Sequence, residues 1–520
     1  MPQDPTSPTV AGAVPGERTF FGQPLGLSTL FFTEMWERFS FYGMRALLLL
    51  FMTAAVSAGG LGWETAKAGP IYGLYTAMVY LTALPGGWIA DRFIGQRRSV
   101  LYGGILIACG HLSLTFHSLP TFYLGLFLIV VGTGLLKPNI STMVGSLYTQ
   151  DDPRRDAGFS IFYMGINIGA FLAPLVCGFL AQSDTFKGFL AGIGVSPASS
   201  WHWGFGAATV GMTLGVIQYI VGGRRLGQAG LHPTRPEDPA AWARQKRNLL
   251  IIVLAIVGLA ALLFALQAAG TIAITAQGVT NAVGYALVII PFVYFTYLFR
   301  MPEFTTVERK RLGAIFLFFL FAALFWSAFE QAGSTLNLFA DRFTRTTILG
   351  FHYPSTWFQS VNSMFLWLLA PVFAWLWLAL GRRGKEPSSP AKFAYGLFFV
   401  GLGFLVIAFG AMLSGPAGNR VSPMWLVTVY LLHTIGELCL SPVGLSTMTK
   451  LAPVRVTSQM MGVWFLASSV GNYVGGRVAG LFEKLPLPAI FGAVFGVCML
   501  FTLIAIILVK PIRNLMGGVR

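Results

Sequence analysis

The stretch Glu34-Met-Trp-Glu37-Arg38-Phe39-Ser-Phe41-Tyr42-Gly43-Met-Arg45 sets two carboxylates and two guanidiniums in an otherwise apolar segment running from about Leu25 to Met52. Residues three, four, seven, eight and eleven apart share one helix face, so Glu34, Glu37, Arg38, Phe41, Tyr42 and Arg45 form a single stripe. Each charge costs about 2.5–3.5 kcal/mol at the centre of a bilayer on insertion scales, so the stripe must face protein or a water-filled cavity. An ion pair that only staples helices needs fewer charges than this. The stripe reads as a working site.

Further polar groups punctuate other apolar runs. Lys137 stands deep in its segment, within Gly132-Thr133-Gly134-Leu-Leu-Lys137-Pro138-Asn139, where Pro138 is expected to break the helix. Tyr163 and Asn167 share a face at i, i+4, with helix–helix hydrogen bonding as the plainer role for Asn167. Trp326, Glu330 and Ser334 share another stripe, which Asn337 extends by a turn. Trp357-Phe358-Gln359-Ser360-Val-Asn362 precedes an apolar run, and Gly436-Glu437-Leu-Cys-Leu-Ser441-Pro442 sets a lone carboxylate in a span read as broken by proline. His433 lies one turn before Glu437, within hydrogen-bonding range on a helix. Trp464 follows in Met461-Gly462-Val-Trp464-Phe465. For Glu330 and Glu437 the plainer alternative is a paired interhelical acid; for Trp326 and Trp464 it is packing. Counted as one cavity, Glu34, Glu37, Glu330 and Glu437 face Arg38, Arg45 and Lys137 and leave it one positive charge short. Protonating one carboxylate restores balance, and desolvation favours the neutral form. Separate acidic and basic poles suit a substrate bearing both charges. They also suit a proton as coupling ion, because a carboxylate held by Arg binds protons poorly until the bridge breaks.

Composition says where such groups sit. Of 520 residues, 55% are hydrophobic and 10% charged, with a mean hydropathy of +0.69; soluble domains carry about 25% charged residues. Fourteen runs have the length of membrane-spanning helices, at about 25–52, 67–92, 98–117, 121–148, 157–181, 203–222, 248–268, 280–299, 312–341, 355–381, 392–413, 423–449, 458–482 and 487–510. With the N-terminus inside, about 25 of the 35 Lys and Arg fall in inner segments and about 6 in outer ones, as positive-inside bias requires. The other four, Arg38, Arg45, Lys137 and Arg477, lie within helices. An even number of spans puts both termini on the cytoplasmic side. The net charge of +16 thus belongs to membrane topology, and no nucleic-acid partner is expected. Cys109, Cys177, Cys439 and Cys498 stand in apolar surroundings without paired spacing and read as small buried hydrophobes.

The organisation expected is an all-α membrane protein. Residues 1–22 form a disordered tail, 23–222 a six-helix bundle, 223–311 a connection carrying two extra helices, 312–511 a second six-helix bundle and 512–520 a short tail. Such a six-plus-six plan is that of major facilitator transporters, with the substrate site between the halves. The loop Gly86-Gly87-Trp-Ile-Ala90-Asp91-Arg92-Phe-Ile-Gly95-Gln-Arg97-Arg98 resembles their Gly-x-x-x-Asp-Arg motif, with Gly87, Asp91 and Arg92 in structural roles. The six histidines make no metal spacing. There is no phosphate loop, His-Glu-x-x-His pair or nucleophile elbow, so neither an enzyme, an ATP-driven pump nor a cofactor is expected.

The motifs together are more specific than the superfamily. Glu34-x-x-Glu37-Arg38-Phe39-x-Phe41-Tyr42-Gly43 resembles the Glu-x-x-Glu-Arg-Phe-x-Tyr-Tyr-Gly signature of the proton-dependent oligopeptide transporters. Phe162-Tyr163-x-x-Ile166-Asn167-x-Gly169, Phe325-Trp326-x-x-x-Glu330-Gln331 and Gly436-Glu437-Leu-x-x-Ser441-Pro442 resemble further motifs of that family, in order, from about Phe21 to Pro511. The resemblance implies a monomeric symporter that imports di- and tripeptides with protons across the cytoplasmic membrane by alternating access. It assigns Glu34, Glu37, Arg38 and Glu330 to proton coupling, and Arg45 with Lys137 to the peptide carboxylate. Asn167, Asn362 and Glu437 would hold the amino end and backbone, with Tyr42, Tyr80, Tyr163, Trp326, Ser441 and Trp464 lining the pocket. Phe41 departs from the signature tyrosine and removes a hydroxyl from the stripe. The competing expectation keeps fold and coupling but changes the cargo to nitrate or another small anion.

Overall fold

The computed structural model describes residues 19–149, 152–233, 238–348, 350–414, 419–453 and 456–518. Each of the fourteen apolar runs is helical. The first half holds α1 (Gly26–Thr53), α2 (Thr65–Leu81) continued by α3 (Ala83–Ile89), α4 (Gln96–Ser113), α5 (Leu119–Gly145), α6 (Arg155–Gln182), a short α7 (Asp184–Gly192) and α8 (Ser200–Val221). Next come α9 (Pro239–Ala268) and α10 (Ala276–Arg300). The second half holds α11 (Thr306–Phe329), α12 (Thr335–Phe343), α13 (Phe358–Arg382), α14 (Ser389–Leu413), α15 (Met424–Leu451), α16 (Thr457–Ala479) and α17 (Leu487–Leu515), with a two-residue hairpin, β1 (Thr347–Ile348) and β2 (Phe351–His352), before α13. Among the described residues, ten helical segments are long and apolar enough to cross a membrane. The charged stripe takes α1 out of that count without shortening it.

Helices α1, α4, α5, α6 and α8 pack on one another, as do α11, α14, α15, α16 and α17. Two seams join the halves, α2 on α16 and α6 on α13. The first seam is built from glycine. A Cβ on Gly476 would fall 2.3 Å from Gly73 Cα, and one on Gly69 would fall 2.5 Å from Gly480 N, so the backbones touch. Helix α9 buries none of its residues, which suits a lipid-facing helix.

Several expectations change. The second run is two helices that meet at Thr82, because Pro85 lacks the N–H that would bond Leu81 and its ring crowds that carbonyl. The run at 312–341 breaks at a tight turn, Glu330–Gly333, with Ser334 far from helical dihedrals. Pro138 and Pro442, by contrast, lie inside unbroken helices; each removes one bond, and neighbouring helices tolerate the loss. Helix α9 begins nine residues before the expected 248, because the Asp238 carboxylate caps the N–H groups of Ala240 and Ala241 ahead of Pro239. The N-terminal tail lies outside the described residues up to 18, but Phe20 and Gln23 already exchange backbone hydrogen bonds. Cys177, Cys439 and Cys498 are buried, whereas Cys109 is exposed.

We call the end where α1 starts the near end and the end where it finishes the far end. Hydrogen bonds between the halves concentrate at the far end. Glu483, in the turn after α16, accepts from Thr65 N and Oγ1 at 3.2 and 3.1 Å and from Arg342 Nη1 at 2.7 Å. Gln182 donates to Ser355 Oγ at 2.9 Å and accepts from Thr356 Oγ1 at 3.0 Å. Trp357 Nε1 donates to Leu175 O at 3.1 Å. Burial works to raise the Glu483 pKa, but the bonds from Arg342 and Thr65 outweigh it and hold the carboxyl below the ordinary 4.5. A lowered pKa means that the clamp contributes fully above the ordinary value and loses its contribution as pH falls through the lowered one. Glu483→Gln is therefore expected to lower the melting temperature at about pH 7 by a small amount, since the pair is partly exposed. That difference should shrink as pH falls through the lowered pKa and vanish below it. A difference independent of pH would show that the clamp does not depend on the ionised carboxylate.

Candidate functional site

Between the halves lies a cavity of about 300 Å³. Helix α1 contributes Tyr42 and Arg45, α2 contributes Tyr80, α5 contributes Lys137, and α6 contributes Tyr163 and Asn167. From the second half come Trp326 and Glu330 around the α11 break, Asn362 on α13, and Glu437 and Ser441 on α15. The cavity thus gathers eleven of the sequence-predicted residues from seven helices and the turn after α11.

Arg45 is the hub. Its Nη2 lies 2.6 Å from Glu330 Oε2 and its Nε donates to the Tyr72 hydroxyl at 3.0 Å, with all three groups buried. Its guanidinium also lies 5.7 Å from the Tyr42 ring centroid. The break after Phe329 makes this geometry possible. A continuing helix would carry Glu330, Ser334 and Asn337 down one face; the tight turn delivers Glu330 to Arg45 and sends Asn337 to donate to Ala46 O at 2.8 Å. Ser334 and Asn337 accordingly stand outside the cavity lining. Gly333 makes the approach close, since a Cβ there would lie 2.1 Å from the Tyr72 hydroxyl.

Lys137 has no carboxylate within 4.0 Å among the described residues; its ammonium sits 3.9 Å from the Tyr80 ring centroid. Glu437 accepts from Asn362 Nδ2 at 3.2 Å, and the same nitrogen lies 2.9 Å from Thr434 Oγ1. Asn167 donates to Tyr163 O at 2.9 Å within its own helix, a different bond from the helix–helix one considered for it.

The single-cavity charge count does not survive. Glu34, Glu37 and Arg38 are almost wholly buried but stand outside the cavity lining, nearer the start of α1. Arg38 Nε lies 3.1 Å from Glu34 Oε1 and pairs with Glu37 as well. The cavity itself holds Arg45 and Lys137 against Glu330 and Glu437 and is balanced. The imbalance belongs to the triad, where two carboxylates share one guanidinium. Phe41, the departure from the signature, is buried, with its ring centroid 5.3 Å from the Arg38 guanidinium carbon.

Trp464 is not in the lining. Its ring covers Gly444 on α15, where a Cβ would meet it at 2.3 Å, and the adjacent Phe465 faces the cavity instead. Sequence reasoning also passed over Tyr72, Phe329, Gln359 and Tyr430 as site residues; His433, considered as a partner for Glu437, lines the cavity, but the bond to Glu437 comes from Asn362. Gln359 was findable, since it precedes Asn362 by three on one helix. Tyr72 lies 27 residues from Arg45 on another helix, beyond any periodic signal. In the loop motif, Asp91 accepts from Gln96 Nε2 at 3.1 Å and Arg92 lies over Trp88. The glycine that admits no side chain is Gly86, whose Cβ would fall 1.9 Å from Gly134 O; Gly87 only touches Pro138.

The chain is similar to known proteins over nearly its whole length. A family model described as PTR2, POT family, matches residues 97–506. The chain is 43% identical over 516 residues to the peptide transporter YePEPT of Yersinia enterocolitica, covering 97% of each. It is 40% identical over 513 residues to a di-/tripeptide transporter of Lactococcus lactis subsp. cremoris, covering 97% of this chain and 99% of that one. A crystal structure of a peptide transporter POT in complex with sulfate superposes with a TM-score of 0.87 at 43% identity, covering 96% of this chain and 97% of that one.

Tyr72→Phe removes the acceptor of Arg45 Nε and leaves a buried charged donor unpaired, which costs about 1–3 kcal/mol. The expected result is a clear fall in melting temperature that shrinks when Glu330→Gln is already present, because the two partners hold one guanidinium. Strict additivity in that double-mutant cycle would show that Tyr72 and Glu330 do not act on Arg45 together.

Proposed function

The chain belongs to the POT family, and we propose that it is a proton-coupled symporter that imports di- and tripeptides by alternating access through the cavity between its halves. The observation that carries this reading is the cavity's balanced but separated charge. Arg45 and Lys137 offer cationic ends, Glu437 and Asn362 an acidic and polar end, and Lys137 and Glu437 do not neutralise each other. A short peptide bears one charge of each sign, and its termini would complete both poles. Dry ion pairs are costly to assemble unless every charge is matched, so a zwitterion fits better than a bare anion such as nitrate.

Proton coupling follows from the two buried clusters. In the triad, Arg38 can balance only one of Glu34 and Glu37, so a proton on either leaves the cluster neutral. In the cavity, protonating Glu330 removes the carboxylate charge that draws Arg45 across to the second half. Arg45 is then released toward a peptide carboxylate, and the far-end closure weakens where the two halves meet. Under this reading the far end is the outer face, both termini are cytoplasmic, and the protein works as a monomer of the cytoplasmic membrane with the proton gradient as its energy source.

The deciding experiment is uptake of labelled dialanine into proteoliposomes containing this protein alone, under an imposed inward proton gradient. Accumulation should collapse with a protonophore and be blocked by other dipeptides but not by free alanine. Failure of dipeptides to compete with one another, in folded protein, removes the peptide assignment. Glu330→Gln is expected to lose gradient-driven accumulation while retaining peptide exchange; normal accumulation would take coupling away from Glu330. Arg45→Ala should lower both binding and accumulation by tenfold or more, as about 1.4 kcal/mol per decade implies for a lost charged partner.

A further inference from the structure

Helix α10 belongs to neither half, yet it lies along the α2–α16 seam. It is fitted there closely. A Cβ on Gly284 would fall 1.8 Å from the Tyr473 ring, and Arg477 Nη1 donates to Asn281 Oδ1 at 2.6 Å. Where the three helices reach the far end they leave a groove of about 510 Å³. Pro70, Val474 and Leu481 floor it, and Arg477, Lys484 and Gln277 edge it. Gln277 opens α10, Pro70 lies early in α2 and Arg477 is in the last turn of α16, so the edge sits where these helices leave the bilayer core.

We propose that this groove binds an anionic phospholipid, its phosphate held by Arg477 and Lys484 and one acyl chain laid along the apolar floor. Neither cation has a carboxylate within 4.0 Å among the described residues. Glu483, next to Lys484 in sequence, is already engaged by Arg342 and Thr65. Leucine and valine stand 40% and 37% exposed on the floor (Leu481 and Val474), which suits a chain of methylenes and no aqueous ligand. The Asn281 bond fixes the Arg477 guanidinium at the groove instead of leaving it to snorkel freely. A zwitterionic headgroup would bring its own cation against two more, so the charge complement selects a lipid with net negative charge. The occupant would touch α2, α10 and α16 together and so bear on the seam between the halves.

The test is titration of phosphatidylglycerol into the delipidated full-length protein in detergent, with bound lipid read by native mass spectrometry. Phosphatidylcholine with the same chains and soluble glycerol phosphate are the two comparisons. Each basic side chain near an anionic headgroup contributes about fivefold, so Arg477→Gln/Lys484→Gln should weaken phosphatidylglycerol binding about 30-fold. Phosphatidylcholine should bind the wild type weakly and the variant no differently, and glycerol phosphate should not compete. Lys484→Gln alone, whose side chain makes no hydrogen bond among the described residues, should show about a fivefold loss with an unchanged melting temperature in detergent. Equal phosphatidylglycerol binding by wild type and double variant overturns the site, as does phosphatidylcholine binding as tight as that of phosphatidylglycerol. Competition by glycerol phosphate would replace the lipid with a free phosphate group. None of these readouts depends on peptide transport.

Discussion

A charge taken from water into the middle of a helical bundle needs a partner there, and Arg45 finds its partner in the other half of the molecule. The pair with Glu330 determines much of what surrounds it. The α11 helix must stop at Phe329 so that Glu330 can reach across, Gly333 must lack a side chain, and Tyr72 must supply the remaining acceptor. Because both groups are buried, removing one leaves the other uncompensated. A pair of this kind holds two bodies together firmly while both members are ionised and hardly at all once one is neutral.

The two buried clusters divide the electrostatic labour. The triad on α1 carries surplus negative charge and has no share in the cavity lining; the cavity is neutral overall but polarised. An incoming zwitterion leaves the total charge of the cavity unchanged, whereas a proton changes the charge of whichever cluster receives it.

The helices were legible because spanning a bilayer imposes length and apolarity that composition alone reveals. The site was legible to the extent that charge in an apolar run is costly and hence informative: Glu34, Glu37, Arg38, Arg45, Lys137, Glu330 and Glu437 all stood out for that reason. Partnership did not show. Nothing in one dimension separates the triad from the cavity, since Arg38 and Arg45 lie two turns apart on one helix and their surroundings come from other helices. Prolines misled in both directions. Pro138 and Pro442 sit in continuous helices because neighbours absorb the missing bond, while Pro85 and the turn at Glu330 interrupt runs that hydropathy reads as single. Trp464 and Phe465 are adjacent, and which ring turns inward depends on a vacancy above Gly444 that only packing creates.

The seam between α2 and α16 has a mechanical meaning. Helices ordinarily meet through side chains seated in one another's grooves, and tilting them means lifting each knob over a ridge. At Gly69, Gly73, Gly476 and Gly480 there are no knobs to lift. Backbone rests on backbone, so the crossing angle can vary while the same atoms stay in touch and no rotamer has to change. The contact is bearing-like at those four positions only, since Ser469 Oγ still donates to Ala77 O across the same seam and would have to let go for the halves to turn.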